Sequence, residues 1–437
     1  MSVNDDHRHC EAEGPPKRPC ALLWDESLLW GLMAWRALGE AGLPFDLLRA
    51  EDVRAGRLSR YRMIFVPGGW ASNKIRALGT RGIEEIRRFV AAGGAYLGIC
   101  GGAGMATEKG LGLLPIRRKP SGERVPSFSG PIRLSLADHE IWQGIQRPVF
   151  NLWWPSQFNI GDPKIEILAR YEEAQADAFS ADIGVADGGK IGWSELERRY
   201  GILLNPERLR GEPGVVEGCF GRGRVILSLV HFDTPGDPGG AAVLRNLWGP
   251  PFSSHPPEPQ GAENRLQNTF KDVPKSIRDL IEDIHRLIAE LIATGVRNFL
   301  WYRRNPLLLQ WRRGVRGLEY STLDATIGEI QRCLVGPGDS DRDGRPSLSE
   351  SFDLSRLEAQ LKDIRGQAVP FCEKAKGLLI RERLYVINGS LSPVECQDAQ
   401  IGRLRQELFG SAMSHGGEFK RLIDSVDPLL YDLLEEK

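Results

Sequence analysis

Long apolar runs are missing from this sequence: no stretch approaches the length that spans a bilayer, so no membrane contact is expected. An excess of one charge is missing too. Lys and Arg total 57 against 58 for Asp and Glu, which leaves no electrostatic footprint for nucleic acid or an anionic lipid surface. Residues 1–19 lack the basic start and apolar core of a secretory signal. Cysteine is sparse, seven at irregular spacing, and an odd, unpatterned set does not make a disulfide framework. A cytoplasmic chain with reduced thiols is the expectation. What remains is an ordinary globular composition, 41% hydrophobic and 26% charged, in 437 residues, enough for two or three domains.

Residues 1–19 read as a disordered tail, in which His7, His9 and Cys10 are too loosely held to suggest a metal site. From Cys20 short apolar strands alternate with helices. Strands are expected at 21–24, 45–48, 63–66 and 95–99, and helices at 28–41 and 82–92, the latter with Ile83, Ile86, Phe89 and Val90 on one face. Apolar strands separated by helices imply an α/β domain over 20–250, a mainly parallel sheet with helices on both faces. The signal weakens between 120 and 220, where 165–169, 191–193 and 215–220 read as strands. It recovers in the strand 225–230 and the helix 241–248. Residues 251–264 are a proline-rich linker. The period is helical over 265–437, an all-α region. Ile277, Leu280, Ile281, Ile284, Leu287, Ile288 and Leu291 form one stripe, and further helices are expected at about 307–334, 353–380, 394–410 and 418–434.

Gly98-Ile99-Cys100-Gly101-Gly102 joins the end of a buried strand to the start of a helix. A nucleophile elbow needs small residues on both sides, because its central residue takes a strained backbone. The following helix N-terminus favours a thiolate, and the amide of Gly101 can donate to a developing oxyanion. Pro67-Gly68-Gly69 ends the preceding parallel strand and offers a second donor at Gly69, or at Gly68. Both loops lie at strand carboxyl ends, where open α/β sheets place their sites. Among the histidines, His231 has the fitting context: it follows the strand 225–230, and Asp233 stands two residues on to orient its ring. His139 is the runner-up, while His255 falls in the linker and His285 and His415 in the helical half. The aromatic run Asn151-Leu152-Trp153-Trp154-Pro155 reads as core.

These pieces carry a resemblance. Phe65-Val66-Pro67-Gly68-Gly69, then Phe89-Val90 with Gly93 to Cys100, then Ile167 to Tyr171, and Gly223 to Ser228 leading into His231 are similar to the N-terminal domain associated with biotin–protein ligases. That domain is itself similar to class I glutamine amidotransferases. The resemblance covers a little over half of the chain. It implies a flavodoxin-like sheet and a Cys–His site at Cys100 and His231. Two positions depart from glutamine-hydrolysing members: Asp233 stands where they have Glu in His-x-Glu, and Gly104 stands where a glutamine four residues after the cysteine holds the substrate. Gly221-Arg222-Gly223-Arg224 resembles the glycine–arginine loop of the ligase catalytic domain, but it reads as a turn feeding the strand before His231. With a helical C-terminal half, biotin ligase activity is not expected.

In the helical half, Asp339, Asp341, Asp343, Gly344 and Glu350 fit the spacing of an EF-hand calcium loop. Pro346 and the helix-breaking Gly336-Pro337-Gly338 make a solvated acidic connection the plainer account. Two functions follow. In one, a cysteine-dependent amidohydrolase or amidotransferase-like enzyme acts on a small-molecule or peptide amide and needs no cofactor. In the other, a non-catalytic module keeps the fold and docks a protein partner through its helical half. A thiol redox role needs only a reactive Cys100.

Overall fold

The apolar strands of the first half assemble in an order set by their crossover helices. The computed structural model describes residues 18–249, 269–336, 348–349, 352–387, 398–410 and 415–436. Strand β1 (Arg18–Leu23) starts two residues inside the stretch read as a tail. It leads through α1 (Leu29–Glu40) to β2 (Asp46–Leu48), then α2 (Ala50–Arg54) and β3 (Tyr61–Val66). Helix α3 (Ala71–Ala91) begins well before the expected residue 82. Gly79, at φ 60° and ψ −179°, interrupts it, which is why only its second part carries a clean stripe. Strand β4 (Ala95–Ile99), every residue buried, runs into the short α4 (Gly101–Met105).

The chain then makes β5 (Ile116–Arg118), β6 (Phe128–Leu136), β7 (Val149–Trp153), β8 (Phe158–Ile160) and β9 (Glu166–Ala174). Two short strands follow, β10 (Phe179–Ser180) and β11 (Ile183–Gly184). The strand expected at 191–193 is instead the junction of α5 (Val185–Ile191) and α6 (Trp193–Tyr200), broken at Gly192. Three apolar residues cannot set a period; Ile191 is 57% exposed, and the helix is fixed by Leu196, buried among charged neighbours. Hairpin β12 (Pro213–Phe220) and β13 (Gly223–Ser228) completes the sheet, and α7 (Pro238–Trp248) closes the domain. The turn between these two strands is the one read from Gly221 to Arg224, with Gly221 at φ 61°.

Among the described residues the sheet has eleven strands, ordered β11-β10-β6-β9-β12-β13-β4-β3-β1-β2 with β7 on β6. From β13 to β2 every pairing is parallel, in the flavodoxin-like order 2-1-3-4 followed by the last strand. From β12 outward the pairings are antiparallel.

Among its described residues the second half is helical but for one hairpin. Helix α8 (Lys275–Arg297) buries the predicted isoleucine stripe. Where a helix from about 307 was expected, β14 (Trp301–Arg303) and β15 (Leu309–Trp311) pair antiparallel. The Asn305 side chain accepts from the amides of Leu307 and Leu308, a turn that Asn-Pro favours over helix. Then follow α9 (Gly317–Leu334), α10 (Leu354–Ile387), α11 (Ala399–Phe409) and α12 (Gly417–Glu435). The halves are joined through charge as well as apolar surface. Arg36 on α1 and Arg332 both donate to Glu329, whose side chain is fully buried on α9. Among the described residues no helix is long and apolar enough to cross a membrane.

Candidate active site

Register brings the site together. Val66 pairs with Gly98 and Ile99 with Ser228, so the chain leaves β3, β4 and β13 at one level, at the carboxyl edge of the parallel sheet. Cys100 sits at φ 51° and ψ −103°, a conformation that costs a non-glycine residue about 1–3 kcal/mol. Its amide donates to the Ser228 carbonyl at 2.7 Å and its carbonyl accepts from Gly104 at 2.9 Å, which holds the strain in place. Only glycines permit the packing around it. A Cβ at Gly101 would stand 1.8 Å from the Gly69 oxygen, and one at Gly102 would stand 1.9 Å from the Val66 oxygen. Gly69 and Gly101 are therefore in contact, and the Gly101 amide, first in α4, has no acceptor within its helix. Gly68 turns its Cα toward Trp30, where a Cβ would lie 2.9 Å from the indole Cγ.

His231 lies three residues beyond β13. Its amide donates to the Asn151 carbonyl of β7 at 2.8 Å, which folds the strand tip back over the sheet edge. Its Nδ1 is 2.9 Å from Asp233 Oδ1, and both side chains are fully buried. Its Nε2 has no hydrogen-bond partner among the described residues, and the ring packs on Trp30 at 4.9 Å between centroids. Burial alone would lower the imidazole pKa. The charge and hydrogen bond of Asp233, with the Cys100 sulfur beside it, override burial and hold it up to about 10. Thus Cys100, His231 and Asp233 converge. Trp153, at 2% exposure, is core as read, yet its carbonyl is 3.9 Å from the Cys100 sulfur, so the aromatic run also walls the site. His139 lies elsewhere, beside Glu217 at 3.3 Å and Arg224 at 3.1 Å.

Several residues here gave no signal in the sequence. Lys74 is fully buried, donates to Ser27 Oγ, and lies with its Nζ 3.6 Å from where a Gly69 Cβ would be. Burial brings its pKa down to about 7 against the opposing pull of Glu26, Asp25, Asp427 and Cys100. The loop after β1 is strained at Glu26 (φ 57°) and Leu28 (φ 48°), and Trp154 after β7 at φ 47°. With Cys100 these are four of the six non-glycine residues at positive φ among the described residues, so strain concentrates at this edge. The helical half reaches the same edge. Trp311 stacks on Trp154 at 4.6 Å, and Lys420 of α12 is 3.5 Å from Glu26. Nothing short of the tertiary contact could have announced these.

The acidic loop, Asp339, Asp341, Asp343 and Glu350, lies outside the described residues, as do His7, His9, Cys10 and residues 251–264. Among the described residues no three His, Cys, Asp or Glu side chains gather as a metal site.

The chain is thus an α/β protein with a flavodoxin-like parallel sheet and a strained cysteine elbow at the sheet's carboxyl edge. Residues 58–110, which span β3, α3, β4 and the elbow, match the family described as "Biotin-protein ligase, N terminal". That match covers well under half of the chain. No curated protein matches the sequence. Among solved structures, a GMP synthase-type protein of Thermoplasma acidophilum is similar at 13% identity and TM-score 0.35, over 53% of this chain and 93% of its own. A glutamine amidotransferase of Thermotoga maritima is similar at 15% identity and TM-score 0.31, over 51% of this chain and 78% of its own. A β-galactosidase of Bacillus circulans sp. alkalophilus matches at 16% identity and TM-score 0.31, over 52% of this chain but 30% of its own.

Proposed function

We propose that this protein is a cysteine-dependent amidohydrolase or amidotransferase-like enzyme. Cys100 Sγ attacks an amide carbonyl, and the amides of Gly69 and Gly101 hold the resulting oxyanion. His231, held protonated by Asp233, gives its proton to the leaving amine as the C–N bond breaks. The thioester left on Cys100 is then cleaved by water, with the now neutral His231 taking the water proton and Cys100 leaving as the thiolate, which restores the starting pair. The observation that carries this reading is the buried His231–Asp233 pair, 2.9 Å apart, with Nε2 unpartnered among the described residues beside a sulfur on a strained elbow.

The test is alkylation of Cys100 by iodoacetamide across a pH series, read by mass spectrometry of its peptide, in wild type and in His231→Ala. A pH profile that differs from a free thiol and changes with the mutation is expected. A free-thiol profile untouched by the mutation would remove the enzyme reading. Gly104 in place of a glutamine favours a second reading, a binding module that keeps the fold. Release of p-nitrophenolate from p-nitrophenyl acetate with Cys100 acylated would exclude it.

A further inference from the structure

The reading above leaves the substrate open, and the position that departs from glutamine-hydrolysing enzymes bears on it. Gly104 lies one helical turn past Cys100, tied to it by the 2.9 Å bond to the Cys100 carbonyl, so a side chain there would share a helix face with the sulfur. That space is filled by another residue. A Cβ at Gly104 would meet Arg118, at 3.6 Å from Cδ and 3.7 Å from Nε and Nη1.

Arg118 ends β5 and pairs there with Phe158 of β8. Strand β8 follows directly on the loop from Trp153, whose carbonyl touches the Cys100 sulfur. The same loop fixes a second guanidinium. Gln157 Oε1 accepts from the Val125 amide at 2.8 Å, and the Gln157 carbonyl accepts from the Lys119 amide at 2.8 Å, so one residue ties the chain next to Arg118 to the chain next to Arg124, whose charges are close enough to repel.

The charges around them are unevenly matched. Arg117 pairs with Glu108 and Lys119 with Glu212, each at 2.8 Å. Among the described residues neither Arg118 nor Arg124 makes an ion pair. Arg124 is half-buried, and its Nε is a buried donor with no acceptor among them. Burial, and then the charge of Arg118, both work against its protonated form. A guanidinium with a buried unmet donor is costly alone, and with the exposed Arg118 guanidinium near it the pair is suited to a planar anion.

Resting on Cys100 as the nucleophile, we infer that the site takes an amide carrying a carboxylate or similar anion, which Arg118 and Arg124 hold one helical turn from the sulfur.

The probe is a matched pair of alkylating agents, iodoacetate and iodoacetamide, with glutathione as the free-thiol reference and Cys100 read by mass spectrometry. The iodoacetate-to-iodoacetamide rate ratio at Cys100 should exceed that of glutathione by about tenfold, as charge-assisted bonds to a carboxylate would give. It should fall to the glutathione value in Arg118→Gln/Arg124→Gln and be largely restored in Arg118→Lys/Arg124→Lys. A ratio equal to glutathione in wild type, or unchanged in the Gln variant, overturns the inference while Cys100 reactivity toward iodoacetamide leaves the nucleophile standing. A Cys100 inert to both reagents removes the nucleophile and this inference with it.

Discussion

Gly101→Ala probes the contact on which the proposed oxyanion site depends. The new methyl would sit 1.8 Å from the Gly69 oxygen, 2.8 Å from its carbonyl carbon and 3.0 Å from its nitrogen. All three are backbone atoms, so no rotamer relieves the clash. Restoring even a 3.0 Å contact displaces the Gly69 carbonyl by at least about 1.2 Å. Overpacking of this kind costs about 1–3 kcal/mol of stability, and a misplacement near 1 Å at a reacting geometry costs about 10²-fold in rate. Urea unfolding should therefore show a lowered midpoint, and acylation of Cys100 by p-nitrophenyl acetate should fall about 100-fold. Alkylation by iodoacetamide, which develops no oxyanion, should fall far less. Gly122→Ala, with open space around the new methyl, is the control. If Gly101→Ala keeps wild-type stability and acylation, the Gly69–Gly101 contact is not the oxyanion site.

Asp233→Asn removes the charge 2.9 Å from His231 Nδ1 and should lower the imidazole pKa from about 10 by about 1–3 units, seen in the alkaline limb of the Cys100 acylation profile. Because a raised histidine pKa stabilises fully below the unfolded value of 6.5 and loses that contribution through about pH 10, the variant's stability deficit should be largest below about pH 6.5 and shrink steadily as pH rises toward 10. Lys74→Met should stabilise the protein. A lysine lowered from 10.5 to about 7 carries a burial penalty present in full below pH 7 and gone above 10.5, so urea unfolding should show a gain of about 5 kcal/mol at pH 6 that vanishes near pH 10.5. A constant difference across that range would mean the amine is not the source. Glu329→Ala strands Arg36 and Arg332 and should cost about 3–5 kcal/mol at pH 7. Burial opposes ionisation of Glu329, but the two arginines hold its carboxyl below the usual 4.5, so the difference from wild type should shrink as pH falls past that value; equal stability at pH 7 would refute the bridge.

How much of this the sequence disclosed depended on whether local pattern or distant contact decided each feature. Strand β4 and its elbow were legible because a uniformly apolar run ending in Gly-x-Cys-Gly-Gly has few other structures open to it. His231 was legible because it ends an equally apolar strand and Asp233 is its near neighbour. Strand β15 reads as the start of a helix from about 307, since its apolar residues fit either period and only the Asn305 side chain marks the turn before it. Lys74 was invisible: a lysine in the first turn of a helix reads as exposed, and its burial is imposed by Ser27, Gly69 and a helix more than three hundred residues away. Arg118 was equally silent, because its meaning lies in facing a glycine.

That distant helix bears on what the second half does. Asp427 of α12 is half-buried with its Oδ1 atom enclosed, and its pKa is raised to about 7 by desolvation first and by Asp25 and Glu26 next. Its charge in turn supports protonation of Lys74, along with Glu26 and Asp25. The field around Gly69 is thus built by acids from both halves acting on one amine from the first. A helical region that merely hung from the sheet domain would leave Lys74 open to water and in no need of such partners. Here Lys420 of α12 meets Glu26 in the loop after β1, and Trp311 of β15 stacks on Trp154 in the loop after β7, so the second half touches two of the loops at this edge.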